Sequence, residues 1–167
     1  MKNIFLIGFM GCGKSTIARV LAEKLEVPQV EMDEQIVQEQ GMPITEIFGK
    51  YGEEHFRDIE TDLVRRLQAL DGVVVSCGGG AVLREENRRM MKESGVIVWL
   101  TAEPETILER VKHSTDRPVL NGHMNVEYIS TLMEKRHDCY AAAADYVVAT
   151  DGRNRDEICT RILELVK

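Results

Sequence analysis

Gly8-Phe9-Met10-Gly11-Cys12-Gly13-Lys14-Ser15 fits G-x-x-x-x-G-K-[ST], with Thr16 directly after it. Such a loop turns successive backbone N–H groups inward, and the helix that follows adds partial positive charge at its N-terminus. That is a cradle for phosphate. Gly11, Cys12, Gly13, Lys14, Ser15 and Thr16 are the candidate nucleotide-binding residues, with Lys14 reaching the β- and γ-phosphates and the Ser15 hydroxyl meeting Mg²⁺. Cys12 reads as a small filler rather than a redox group.

The chain holds no N-K-x-D run, so ATP is expected rather than a guanine nucleotide. The apolar run Val73 to Cys77 ends in Ser and Cys, where a motor ATPase would carry an acid for the metal. The acid must come from elsewhere, and Glu31 and Asp33 stand at the end of a second short strand. Three consecutive glycines, Gly78 to Gly80, follow the apolar run, where a plain turn needs one. They fit a place where substrate meets backbone, with the N–H groups of Gly79 and Gly80 as donors. The histidines His55, His113, His123 and His137 show no ligand spacing and read as surface or loop residues.

These residues need a frame. Apolar runs predict strands at Lys2 to Ile7, around Val30, at Val73 to Cys77, Val96 to Leu100 and Tyr146 to Ala149. Helical patterns lie between them: Lys14 to Leu25, Asp33 to Gln40 capped by Gly41, a short helix opened by Pro43, Glu53 to Leu70, Arg84 to Glu93, Pro104 to Lys112, Val126 to Ala143 and one from Asp156. Asp33 would open its helix as an N-cap. Ser114 to Asn125 lacks periodicity and reads as a loop. Alternating strand and helix predicts an α/β fold with a mostly parallel sheet, helices on both faces, and ligands at the carboxyl ends of strands.

The 167 residues carry 28 Asp+Glu against 21 Lys+Arg, a formal charge of -7. That balance argues against a general nucleic-acid or anionic-membrane binder, so any anion must be held by a local group of cations. No apolar run approaches the roughly 20 residues of a membrane span, and the first residues do not form a secretory signal. Four scattered cysteines without a C-x-x-C pair point to a reduced, cytoplasmic setting.

Beyond the loop, Glu31-Met32-Asp33, Phe56-Arg57-Asp58-Ile59-Glu60, Gly78-Gly79-Gly80, Arg117-Pro118, and Arg136 with Tyr140 occur in one order along the chain. In this order and spacing the chain resembles the shikimate kinases, over essentially its full length. The resemblance implies a three-layer P-loop fold like that of nucleoside monophosphate kinases. A five-stranded parallel core would carry a substrate-binding segment at about 33–60 and a lid at about 113–125, all within one domain, 1–167. It implies ATP-dependent phosphorylation of the shikimate 3-hydroxyl, with Mg²⁺; nothing in the sequence suggests an obligate oligomer, so a monomer is expected.

The resemblance also assigns roles. Arg57 and Arg136 would grip the shikimate carboxylate, Glu60 would orient Arg57, and Asp33 would contact the acceptor hydroxyl. Gly78, Gly79 and Gly80 would line the substrate. Arg117 would come with the lid to the transferring phosphate, while Arg110 and Arg153 would lie on the adenine side. Glu31 stands where the family has Asp; it bears on the metal through water, and its extra methylene moves the charge by about an ångström. A gluconate-type kinase on the same fold is the nearest rival, and a catalytically retired nucleotide-binding protein is a rival of another class.

Overall fold

In the strand Asn3–Ile7 (β1) every residue is buried, and successive side chains enter different cores. Ile4 and Leu6 join one apolar cluster, Phe5 and Ile7 the other. A strand covered on both faces reads as an unbroken apolar run, and that is the pattern in the sequence. The computed structural model describes residues 1–111 and 125–166. Within them, β1 is followed by α1 (Lys14–Leu25), β2 (Gln29–Glu31), α2 (Met32–Gln40), α3 (Ile44–Gln68), β3 (Val74–Ser76), α4 (Glu85–Ser94), β4 (Gly95–Thr101), α5 (Pro104–Val111), α6 (Val126–Ala143), β5 (Tyr146–Ala149) and α7 (Arg155–Val166).

The five strands pair in the order β2-β3-β1-β4-β5, every pair parallel. The expected α/β architecture is therefore present. One face carries the cluster that α1, α5 and α7 cover through Leu21, Ile107 and Ile162. The other is closed by α2, α3 and α4 through Ile36, Leu63 and Met91. Helix α6 serves both, Ile129 entering the first cluster and Tyr140 and Ala143 the second. This crossing brings α6 over the carboxyl edge of β1, where Arg136 is needed.

Several boundaries differ from the sequence reading for identifiable reasons. The two helices expected after Pro43 form one assigned helix broken at Gly52, whose φ of 86° a side chain would strain. Helix α2 opens at Met32, so Asp33 lies in its first turn and Glu31 takes the N-cap position without a side-chain cap bond. The last helix opens at Arg155 rather than Asp156. Asn154 Oδ1 accepts from the Glu157 N–H at 2.9 Å, and the Glu157 carboxylate accepts from the Asn154 N–H at 3.3 Å, a reciprocal cap.

Asn3 is a fully buried polar side chain with a clear structural task. Its Nδ2 donates to the carbonyls of Leu70 at 2.9 Å and Leu67 at 3.4 Å, and its Oδ1 accepts from the Val73 N–H at 3.1 Å. One amide thus ties the end of α3 and the Asp71-Gly72 turn to the start of β1. Asn3→Leu should leave these groups unpaired and cost about 1–3 kcal/mol, read as a lower urea midpoint with an unchanged slope. Turnover should survive, because Asn3 lies at the amino end of β1, away from the strand ends that carry Lys14.

Candidate active site

The loop after β1 is held from within. Gly11 and Gly13 take φ values of 80° and 93°, and the Cys12 N–H donates to the Phe9 carbonyl at 3.2 Å. Lys14 is buried, its Nζ donating to the carbonyls of Gly8 at 2.7 Å and Phe9 at 3.1 Å. The first turn of α1 contains no acidic residue, and Gly13 at the N-cap offers no side chain. Its N–H groups therefore face a site suited to an anion. From α5, Arg110 donates to the Gly11 carbonyl at 2.9 Å and to Thr150 Oγ1 at 3.4 Å, bracing the loop from outside. The Cys12 side chain is buried, as a filler would be.

Opposite the loop stands an acidic pair. Ser15 Oγ donates to Glu31 Oε2 at 3.0 Å, and Gln29 Nε2 donates to Glu31 Oε1 at 3.1 Å. Burial pushes the Glu31 carboxyl above its ordinary range, with hydrogen bonds from Ser15 and Ser76 opposing. Asp33, one residue into α2, lies beside Gly78.

Two arginines complete the ring. Arg57 is buried; its Nη1 donates to Glu60 Oε1 at 2.9 Å, and its Nε and Nη2 donate to Glu53 at 3.3 Å. Its guanidinium lies 5.2 Å from the centre of the Phe56 ring. Arg136 is buried as well, 5.6 Å from the centre of the Phe9 ring, and its Nη1 has no hydrogen-bond partner among the described residues. A buried guanidinium N–H without a partner is costly, so this atom is a natural docking point for an acceptor oxygen. One turn on, the Tyr140 hydroxyl donates to the Gly79 carbonyl at 2.6 Å, and burial pushes its pKa up to about 12. The hydroxyl thus stays protonated and keeps donating.

The three glycines each face a different charged side chain. A Cβ at Gly78 would come within 2.8 Å of both Asp33 Oδ1 and Glu60 Oε2. At Gly79 it would lie 3.2 Å from Arg136 Nη1, and at Gly80 it would strike the Arg57 guanidinium, 2.5 Å from Nη2. The sequence reading expected these glycines to let substrate approach the backbone. Their first service is to make room for the charged side chains themselves.

Lys14, Ser15, Thr16, Glu31, Asp33, Arg57, Glu60, Gly78, Gly79, Gly80, Arg110 and Arg136 all line one cavity of about 300 Å³, together with Gly11 and Gly13. Ile44, Phe48, Phe56 and Met10 supply an apolar wall that the sequence reading missed. Phe48 and Phe56 meet at 5.1 Å across the Gly52 break, a contact that no local pattern announces. Arg153 is not among the cavity's residues. It is exposed before α7, beside Asn154 and Glu157 on a separate depression. Arg117 and the lid at 113–125, apart from Asn125, lie outside the described residues, as do His113 and His123. His55 and His137 are exposed, and no cluster of His, Cys, Asp and Glu among the described residues has the makeup of a metal site.

Glu60 is fully buried, and its Oε2 has no partner among the described residues. Burial raises its pKa from 4.5 to about 7, with Arg57 opposing. The folded protein therefore holds this proton more tightly than the unfolded chain. That contribution to stability is complete below about pH 4.5 and is lost as pH rises through about 7. Glu60→Gln should flatten the slope across this window, which urea midpoints at about pH 5 and about pH 8 would read.

Comparison with known proteins gives the family. The family model for shikimate kinase matches residues 10–167. The shikimate kinase of Persephonella marina is 42% identical over 167 residues, covering 100% of both chains. Shikimate kinase from Acinetobacter baumannii in complex with shikimate superimposes with a TM-score of 0.95 at 32% identity, covering 99% of this chain and 93% of that one. A gluconokinase from Sinorhizobium meliloti 1021 reaches a TM-score of 0.65 at 23% identity over 99% and 93% of the two chains, a likeness of fold alone. By sequence over its full length and by structure, this chain belongs to the shikimate kinase family.

Proposed function

We propose that the chain transfers the γ-phosphoryl group of ATP to the 3-hydroxyl of shikimate, with the residues of the cavity in the following roles. The observation that carries this reading is that two kinds of anion-holding group line one cavity. Lys14 and the first turn of α1 belong to it, and so do the buried arginines Arg57 and Arg136. The first suits phosphates and the second a carboxylate, which planar guanidinium groups grip and orient. The wall of Ile44, Phe48 and Phe56 receives the carbon ring between them.

In the reaction the shikimate hydroxyl oxygen attacks the γ-phosphorus as the bond to the β–γ bridging oxygen breaks, and ADP leaves. Asp33 aligns that hydroxyl and takes its proton, which passes to solvent. Lys14 balances negative charge spreading over the transferred oxygens, joined by Arg117 from the lid segment. Glu60 holds Arg57, Gly79 and Gly80 offer their N–H groups to the substrate, and Arg110 and Arg153 flank the nucleotide. Ser15 Oγ and the Glu31 carboxylate lie together at 3.0 Å, hard oxygen donors of the kind Mg²⁺ selects. When bound, the ion neutralises phosphate charge. The serine proton is directed at Glu31, which leaves the oxygen lone pairs for a cation.

All four cysteines are free, in keeping with a reducing cytoplasm, and among the described residues no helix is long and apolar enough to cross a membrane. The gluconate reading is not favoured, since the gluconokinase likeness extends only to the fold. A coupled ADP assay tests the function. ADP release should depend on shikimate and exceed the rates with gluconate and with no acceptor; no shikimate-dependent release would sink the reading.

A further inference from the structure

Gln29 and Glu31 sit two residues apart on the edge strand β2, so their side chains leave the same face. Gln29 Nε2 donates to Glu31 Oε1 at 3.1 Å and approaches the Ser15 carbonyl at 3.5 Å. Both partners are acceptors, so the amide must present its nitrogen to them, and its two hydrogens serve one each. The other Glu31 oxygen accepts from Ser15 Oγ at 3.0 Å. Each carboxylate oxygen thus has its own donor, one from the strand β2 and one from the phosphate loop, and the Ser76 hydroxyl adds a further hydrogen bond to the same carboxylate.

This clamp answers a problem of side-chain length. Glutamate has one more rotatable bond than aspartate, and an unrestrained carboxylate would spread over several rotamers. We infer that Gln29 is a positioning residue for metal binding: by holding Glu31 Oε1 it fixes the longer carboxylate against Ser15, where a divalent cation on the nucleotide phosphates needs it. The inference rests on the kinase reading of the site and adds a residue to it. Gln29 itself is not among the residues that line the cavity and acts only through Glu31.

The test is the Mn²⁺ affinity of the enzyme–ADP complex, read from the free-ion signal in electron paramagnetic resonance. Gln29→Leu should weaken it about three- to tenfold, while ADP affinity in EDTA stays unchanged. Gln29→Glu keeps the length but removes the donor and adds a like charge, and it should weaken Mn²⁺ at least as much. In a Glu31→Asp background the shorter carboxylate withdraws from Gln29, and Gln29→Leu should then change Mn²⁺ affinity less than twofold. Wild-type Mn²⁺ affinity in both Gln29 variants would overturn the inference. So would an equal loss in the two backgrounds, or a matching loss of ADP affinity in EDTA. Mn²⁺ and ADP binding need no acceptor, so a wild-type protein inactive on shikimate would sink the kinase reading and leave this comparison readable.

Discussion

Gly80→Ala should raise the KM for shikimate by about 100-fold, close to the effect of Arg57→Ala, while ATP saturation changes little. The reason is spatial. The added methyl group occupies the place of the Arg57 guanidinium, which is already tied to Glu60 at 2.9 Å and lies against Phe56. Either the guanidinium is displaced from the carboxylate subsite or the strand end shifts, and both outcomes remove one of the two cations. Gly80 lies outside the left-handed region, so the backbone itself tolerates alanine and the protein should fold. Steady-state kinetics with each substrate varied would check this, with urea midpoints as a control. An unchanged shikimate KM in Gly80→Ala and Arg57→Ala would remove Arg57 from the binding role.

Lys14→Ala should lower kcat by about 10³-fold, with the shikimate KM moved only a few-fold. In this structure the ammonium group bonds the Gly8 and Phe9 carbonyls, so it lies coiled across its own loop. Nucleotide phosphates offer stronger, charged acceptors, and the flexible stem can turn toward them at the cost of two neutral bonds. The same two bonds make Lys14 a support of its own loop, so some loss of stability is expected as well. Measuring the ADP-bound and ligand-free urea midpoints separates the roles. A kcat close to that of the unmutated enzyme would show that charge balance at the transferred group comes from elsewhere.

Which parts of this were legible in the chain depends on how local each signal is. The phosphate loop is contiguous, so eight residues state its chemistry, and the strand before it and the helix after it supply the context. Helix α6 and strand β5 were read with their observed ends because proline-free periodicity and short apolar runs are also local. Helix α7 starts one residue before the sequence expectation because Asn154 and Glu157 form a reciprocal cap there. Arg57 and Arg136 come from the family resemblance, since nothing local distinguishes a substrate-binding arginine from a helix-surface ion pair, whereas the run of three glycines and the acids after β2 stand out locally. Arg57 does in fact also meet Glu53 one turn away.

The deeper relations are set by chain crossings. Phe9 beneath Arg136, Tyr140 on Gly79 and Asp33 beside Gly78 join segments whose closeness follows from the strand order β2-β3-β1-β4-β5. That order aligns the carboxyl ends of β1, β2 and β3, and α6 then crosses above them. The net charge of -7 likewise says nothing of this cavity, where Lys14, Arg57, Arg110 and Arg136 converge from four segments. By itself the sequence determined the phosphate loop, the alternation of strand and helix, and the residue types available to hold two anions, because these depend on neighbours along the chain. Only the tertiary structure decided which glycine makes room for which charge, which rings lie against the arginines, and that Gln29 and Ser15 share the Glu31 carboxylate. Those are relations of distance between remote segments, and packing alone sets them.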